Sequence, residues 1–169
     1  MRVLLAPNSF KGSATATAAA AALARGWRAE RPADQVSCLP LADGGEGTLD
    51  VLAAAVPGAR WHQAVVTGPA GAPVGCAWLE LPGAAAAVEL ARASGLPLLR
   101  RPDPMGAHTT GLGEVIGRAL DHGARRVAIG LGGSASTDGG TGALAALGAR
   151  FLDAAGHELP RGGGRRPAG

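Results

Sequence analysis

Three times along this chain a short apolar run stops at a loop built almost wholly of glycine and small polar residues. RVLLA leads into PNSFKGS, VSCLPL into ADGGEGT, and RRVAIGL into GGSASTDGGTG. A brief apolar run closed by turn residues reads as a buried strand, and helical periodicity follows each loop. After the first, Ala16, Ala20, Leu23 and Trp27 recur at helical spacing; they predict a helix over 14–30, with Ser13 as its cap and Pro32 as its stop. After the second, Leu49, Leu52 and Ala53 predict a short helix, with Glu46 in its first turn. A chain that alternates strand, loop and helix in this way folds as an α/β protein with a largely parallel sheet.

The stretch from Trp61 to Leu90 has a different texture. WHQAVVTG, VGCAWLEL and AAAAVEL are separated by glycine and proline turns and predict neighbouring antiparallel strands. Leu112, Val115, Ile116 and Ala119 give the apolar face of a helix over 112–121. ALAAL predicts another short helix, and ARFLDAAGHELP a final strand with a turn. With aromatics at 3% and no tyrosine, the core has to be built from Val, Leu, Ile and Ala.

Charge narrows the function classes. The chain carries a formal +3, but without Arg161, Arg165 and Arg166 basic and acidic residues balance at 13 each. No basic stripe with interleaved aromatics remains, which excludes a nucleic-acid partner. Cys38 and Cys76 lack metal-ligand spacing and read as free thiols of a reducing compartment. His62, His108, His122 and His157 are scattered and predict no ligand set. Pro7 and Asn8 interrupt the first apolar run before a signal-peptide core is complete, and no run is long enough to cross a bilayer. A cytoplasmic protein with no membrane partner is expected; oligomeric state is left open.

The loops after the strands are where α/β proteins bind ligands. The first holds Ser9 and Lys11, the chain's single lysine, whose compact ammonium suits an anionic oxygen as a point charge. The second places Asp43 and Glu46 among three glycines, a pair of carboxylates of the kind magnesium prefers beside water and phosphate. The third has six glycines between 130 and 142; Gly132, Gly133, Ser134, Gly139 and Gly140 are candidates for a phosphate cradle, and Asp138 for metal binding or proton acceptance. Glu89, at a strand end beside Arg92 and Ser94, is a candidate for substrate contact or a local ion pair. Thr109, Thr110 and Glu114 either cap a helix or assist anion binding. Gly130, Gly132 and Ala135 also match the GxGxxA dinucleotide fingerprint, with Asp153 near the ribose-binding position, so a nicotinamide-dependent oxidoreductase is one alternative. Against it, the paired Gly139 and Gly140 would fall inside the helix that the fingerprint requires.

APNSFKGS, PLADGGEGT, ELARASGLPL, HTTGLGEVI and GLGGSASTDGGTG, in this order, resemble the signature segments of the type I glycerate kinase family. The resemblance implies a two-domain α/β architecture with the active site in the interdomain cleft. It further implies ATP and Mg2+ as cofactors, D-glycerate as substrate, and γ-phosphoryl transfer giving a phosphoglycerate. Carried onto this sequence, it puts Lys11, Asp43 and Asp138 in the chemistry, with Asp43 and Asp138 as metal ligands or proton acceptor, the division between them left open. Ser9, Glu46, Glu89, Gly132, Gly133, Ser134, Gly139 and Gly140 then bind substrate or phosphate. Asn8 stands where the family commonly has aspartate, and Ser136-Thr137-Asp138 where many relatives have a TND-like run. The expected division is residues 1–65 as the first part of one α/β domain, 66–164 as a second domain or its N-terminal portion, and 165–169 as an aberrant or truncated tail. Because family members continue for about as many residues again, the chain reads as an N-terminal half, and a non-catalytic fragment with at most nucleotide binding is the other alternative.

Overall fold

A computed structural model describes residues 1–164; the expected tail at 165–169 lies outside the described residues. The chain runs β1 (Arg2–Leu5), α1 (Ala16–Glu30), β2 (Gln35–Cys38), α2 (Thr48–Ala55), β3 (Arg60–Thr67), β4 (Pro73–Leu81) and β5 (Ala85–Glu89). It continues through α3 (Leu90–Ser94), a single helical turn at Leu96–Leu98, α4 (Thr110–Asp121), β6 (Arg126–Gly130) and α5 (Thr141–Ala146).

β1 and β2 pair in parallel, Arg2 opposite Gln35 through Leu5 opposite Cys38. The second sheet has the order β3-β4-β5-β6, antiparallel except for the parallel pair β5 and β6. The second sheet is therefore mixed, its antiparallel part falling in the expected 61–90 stretch, while β1 and β2 keep the expected parallel pairing. Glycine turns join β3 to β4 and β4 to β5 directly, so those pairs must be antiparallel, whereas α3 and α4 lie between β5 and β6 and permit a crossover.

The period-two alternation of β4 and β5 sorts their side chains to opposite faces. Cys76, Trp78, Ala86 and Val88 join Leu112, Val115, Ile116 and Ala119 of α4 in the main core. Leu79 and Ala87 point the other way, onto Leu49 of α2. With a helix on each face, the middle of β4 is buried on both sides, which explains its unbroken apolar run.

Several local expectations need correction. α1 is capped by Thr15, whose hydroxyl accepts the Ala18 N–H at 3.1 Å; Ser13 instead donates to the Phe10 carbonyl in the preceding turn. α2 begins at Thr48, so Glu46 precedes the helix instead of occupying its first turn. The segment 150–160 forms an isolated bridge between Leu152 and Glu158, not a strand. β3 spans the 65/66 boundary and is paired with β4 from Arg60 to Thr67, so a division there would cut a fully paired strand.

Candidate functional site

The loops that follow β1, β2, β5 and β6 meet at one end of the structure. The Gly132 N–H donates to the Gly44 carbonyl at 2.9 Å, joining the second and third glycine loops through their backbones. A Cβ on Gly132 would stand 2.5 Å from the Gly45 Cα, and one on Gly130 would stand 2.7 Å from the Gly44 oxygen. These two glycines are required by loop-to-loop packing before any ligand is considered. Gly133, Gly139 and Gly140 have φ of 73°, 61° and 83°, a region that disfavours any side chain. The segment after β5 joins the same cluster: Gly95 bridges to Ser134, and the Leu96 N–H donates to the Gly133 carbonyl.

Beside this junction lies a cavity of about 510 Å3. Asn8, Ser9, Lys11, Glu46, Glu89 and Arg92 line it, together with the first residues of α1. Lys11 is exposed on the turn that Phe10 and Ala14 close, and among the described residues it has no ion-pair partner. The N-terminal end of α1, Thr15 to Thr17, opens on the same space and contributes the positive end of a helix dipole. The Gly45 N–H, donating at 3.1 Å, holds the Asp43 carboxyl below the usual range, and Asn8 and Lys11 reinforce the effect. Asp43 is exposed and ionised at neutral pH.

Glu89 stands at the end of β5 beside Arg92, as its sequence context suggests, and has a further role there. Its side chain is buried, and its two oxygens accept the N–H groups of Gly47 and Leu49 at 3.2 and 3.1 Å. It thereby caps α2, whose own N-cap, Gly47, has no side chain with which to do so. Arg92 lies 3.6 Å from Glu89, bonds Asp50 at 2.6 Å and covers the Trp61 ring at 5.1 Å. Asp50 and this bridging role of Arg92 were not evident from sequence, because the two residues lie 42 positions apart.

Asp138 is not among the residues lining the Lys11 cavity. It lines a second one of about 370 Å3, with Gly139, Thr141 and Gly142. Its Oδ2 accepts the Thr109 N–H and hydroxyl, both at 2.8 Å, and the Gly142 N–H at 3.1 Å. Its Oδ1 accepts the Ser136 hydroxyl at 3.2 Å and the Gly140 N–H at 3.1 Å. Burial raises its pKa, but the donations from Thr109, Gly140 and Gly142 outweigh that and hold it below the usual range. The Thr109 hydroxyl in turn accepts the Ala143 N–H at 2.9 Å, so one carboxylate ties the start of α4 to the start of α5. Glu114 is likewise structural, accepting the Thr67 N–H and hydroxyl at 2.7 and 2.6 Å. The dinucleotide fingerprint fails on the same loop: the helix after Gly130 starts only at Thr141, and Gly130 and Gly132 pack on Gly44 and Gly45.

Glycine loops gathered at the strand ends of an α/β protein, around a lysine and a helix N-terminus, have the form on which small anionic ligands are commonly held. Residues 3–166 match the model of the glycerate kinase family, and the chain belongs to that family. It is 44% identical over 167 residues to a protein of Escherichia coli named glycerate 2-kinase, and 47% identical over 167 residues to one of Bacillus subtilis named glycerate kinase. Each match covers 97% of this chain and 44% of the relative. The structure superimposes on the crystal structure of a putative glycerate kinase 2 from Salmonella typhimurium with a TM-score of 0.77 at 40% identity, over 96% of this chain and 44% of the other. The chain thus spans less than half the length of these relatives.

Proposed function

We propose that this chain forms part of a kinase that transfers the γ-phosphoryl group of ATP to D-glycerate, with Lys11 as the residue that grips an anionic oxygen at the reacting end. The observation that carries this reading is the cavity where Lys11 and the N-terminus of α1 face the Asp43 loop. The ammonium and the helix dipole together hold a carboxylate or phosphate oxygen. Ser9 and Glu46 lie within reach of the rest of a small hydroxy acid. Asp43, ionised and exposed, accepts the proton of the attacking hydroxyl or serves as a carboxylate ligand to Mg2+; its environment fits either task. Held there, that ion would supply charge neutralisation in the transfer.

Glu89 and Arg92 act by position, fixing α2 and the cavity wall. Asp138 acts in the same way, because its oxygens are already engaged by five donors, and binding a metal would cost some of those bonds. Gly133, Ser134, Gly139 and Gly140 shape the third loop, which opens on the Asp138 cavity through Gly139 and is the candidate surface for the phosphates of ATP. The name of the Escherichia coli relative supports the 2-hydroxyl as acceptor. We place the boundary between the two structural units in the loop 39–47, since α2 packs under β4 and β5 whereas α1 packs on β1 and β2.

The test is ADP release from MgATP, with and without D-glycerate, by this chain extended with the remaining length of the Bacillus subtilis relative. Glycerate-dependent release is expected, and Lys11→Ala should lower kcat/KM by about a hundredfold, as removal of one preorganised charge-stabilising donor does. No glycerate dependence would end the proposal, and unchanged kinetics would remove Lys11 from it.

A further inference from the structure

At the opposite end of the four-stranded sheet from the Lys11 cavity, three side chains distant in sequence converge. His62 stands opposite Trp78 in the β3–β4 register, and Glu80 follows Trp78 by two residues, so all three share one face. α4 crosses that face and ends there, with His122 at its C-cap. The His62 Nε2 lies 2.9 Å from the Glu80 Oε2, and the His122 Nε2 lies 3.6 Å from the same oxygen. One ligand atom from each of the three falls within a 4.8 Å span.

From this geometry we infer a binding site for a divalent transition metal of the zinc type, held by His62, Glu80 and His122. Ligand atoms at tetrahedral zinc, bound at about 2.0–2.1 Å, stand about 3.3 Å from one another, and the two separations here bracket that value. The His62 ring is preset by stacking on Trp78 at 4.3 Å and 13°, and the His122 ring meets it edge-on at 4.4 Å. Two imidazoles and one carboxylate select zinc, nickel or copper over magnesium and calcium, which take oxygen ligands. The C-terminal end of α4 adds a favourable potential for a cation. A cavity of about 330 Å3, lined by Arg60, Trp78, Glu80 and His122 among others, leaves room for water as a fourth ligand. Arg60, which lines the same cavity, is the unfavourable neighbour, and its charge weakens the site. A metal here ties the β3–β4 hairpin to the end of α4, apart from the phosphoryl-transfer machinery.

The probe is Co2+ alone, titrated into this chain and read by its visible absorption, followed by displacement with Zn2+. One equivalent is expected to give the strong bands of four-coordinate cobalt, bleached by Zn2+. His122→Ala and Glu80→Gln, both at partly exposed side chains that tolerate change, should weaken binding by at least about a hundredfold, judged by the cost of losing even outer-shell partners. His157→Ala, on a remote exposed loop, should leave the titration unchanged. Absence of the bands, or equal binding by His122→Ala with its circular dichroism intact, would overturn the inference.

Discussion

Substituting Asp138 by alanine leaves five donors facing the space its carboxylate occupied. Three of them, the Thr109 N–H, the Thr109 hydroxyl and the Gly142 N–H, make buried bonds. The other two, from Ser136 and Gly140, are partly buried and can turn to water. A buried donor without a partner costs about 1–3 kcal/mol, and the donors here cannot all be rescued by one water. Taking the low end for each of the three gives a loss of about 3 kcal/mol, the bottom of the range of about 3–5 kcal/mol found when one partner of a buried charged pair is removed. Asp138→Asn keeps one acceptor oxygen but turns an NH2 toward donors, so about half that loss is expected. Urea denaturation of the chain and its variants, analysed at constant m, measures both. A loss below about 1 kcal/mol in the alanine variant would refute the positioning role, because the five bonds would then contribute almost nothing. An asparagine variant of unchanged stability that abolished turnover in the extended chain would return Asp138 to the chemistry.

The same carboxylate sets a pH dependence. Its folded pKa is depressed, so its stabilisation is fully present above the unfolded value of about 3.9 and is lost as pH falls through the lower folded value. The urea midpoint of the unmodified chain should therefore drop more steeply in acid than that of Asp138→Asn; parallel profiles would contradict this. Glu89→Gln should destabilise by about 2–4 kcal/mol, since it replaces one oxygen that accepts a buried N–H at the start of α2 and removes the charge facing Arg92; amide exchange of Leu49 at the unmodified rate would count against it. Burial pushes the Cys76 thiol up to about 11, whereas Cys38 is exposed, so a thiol reagent should modify one cysteine in the native chain and two in urea. Equal reaction of both without denaturant would show that the Cys76 face of the sheet is open.

What the sequence determined by itself is local and periodic. The 3.6-residue spacing of Leu112, Val115, Ile116 and Ala119 specifies α4 and its buried face, and glycine and proline turns specify the antiparallel pairing of β3, β4 and β5. The ordered motifs were sufficient to indicate the family. They also placed Lys11, Ser9 and Glu46 on loops past strand ends, and those residues do line a common cavity. The tertiary structure decided which glycines serve packing, which acids are buried caps and which histidines meet. Gly132 touches Gly45, Glu89 caps a helix that starts about 40 residues earlier, and His62 meets His122, yet in sequence none of these partners is apparent. The physical reason is that propensity and periodicity act over a few residues, whereas the partner of a buried charge or a crowded backbone is set by how sheet and helices pack, and no local pattern records that choice.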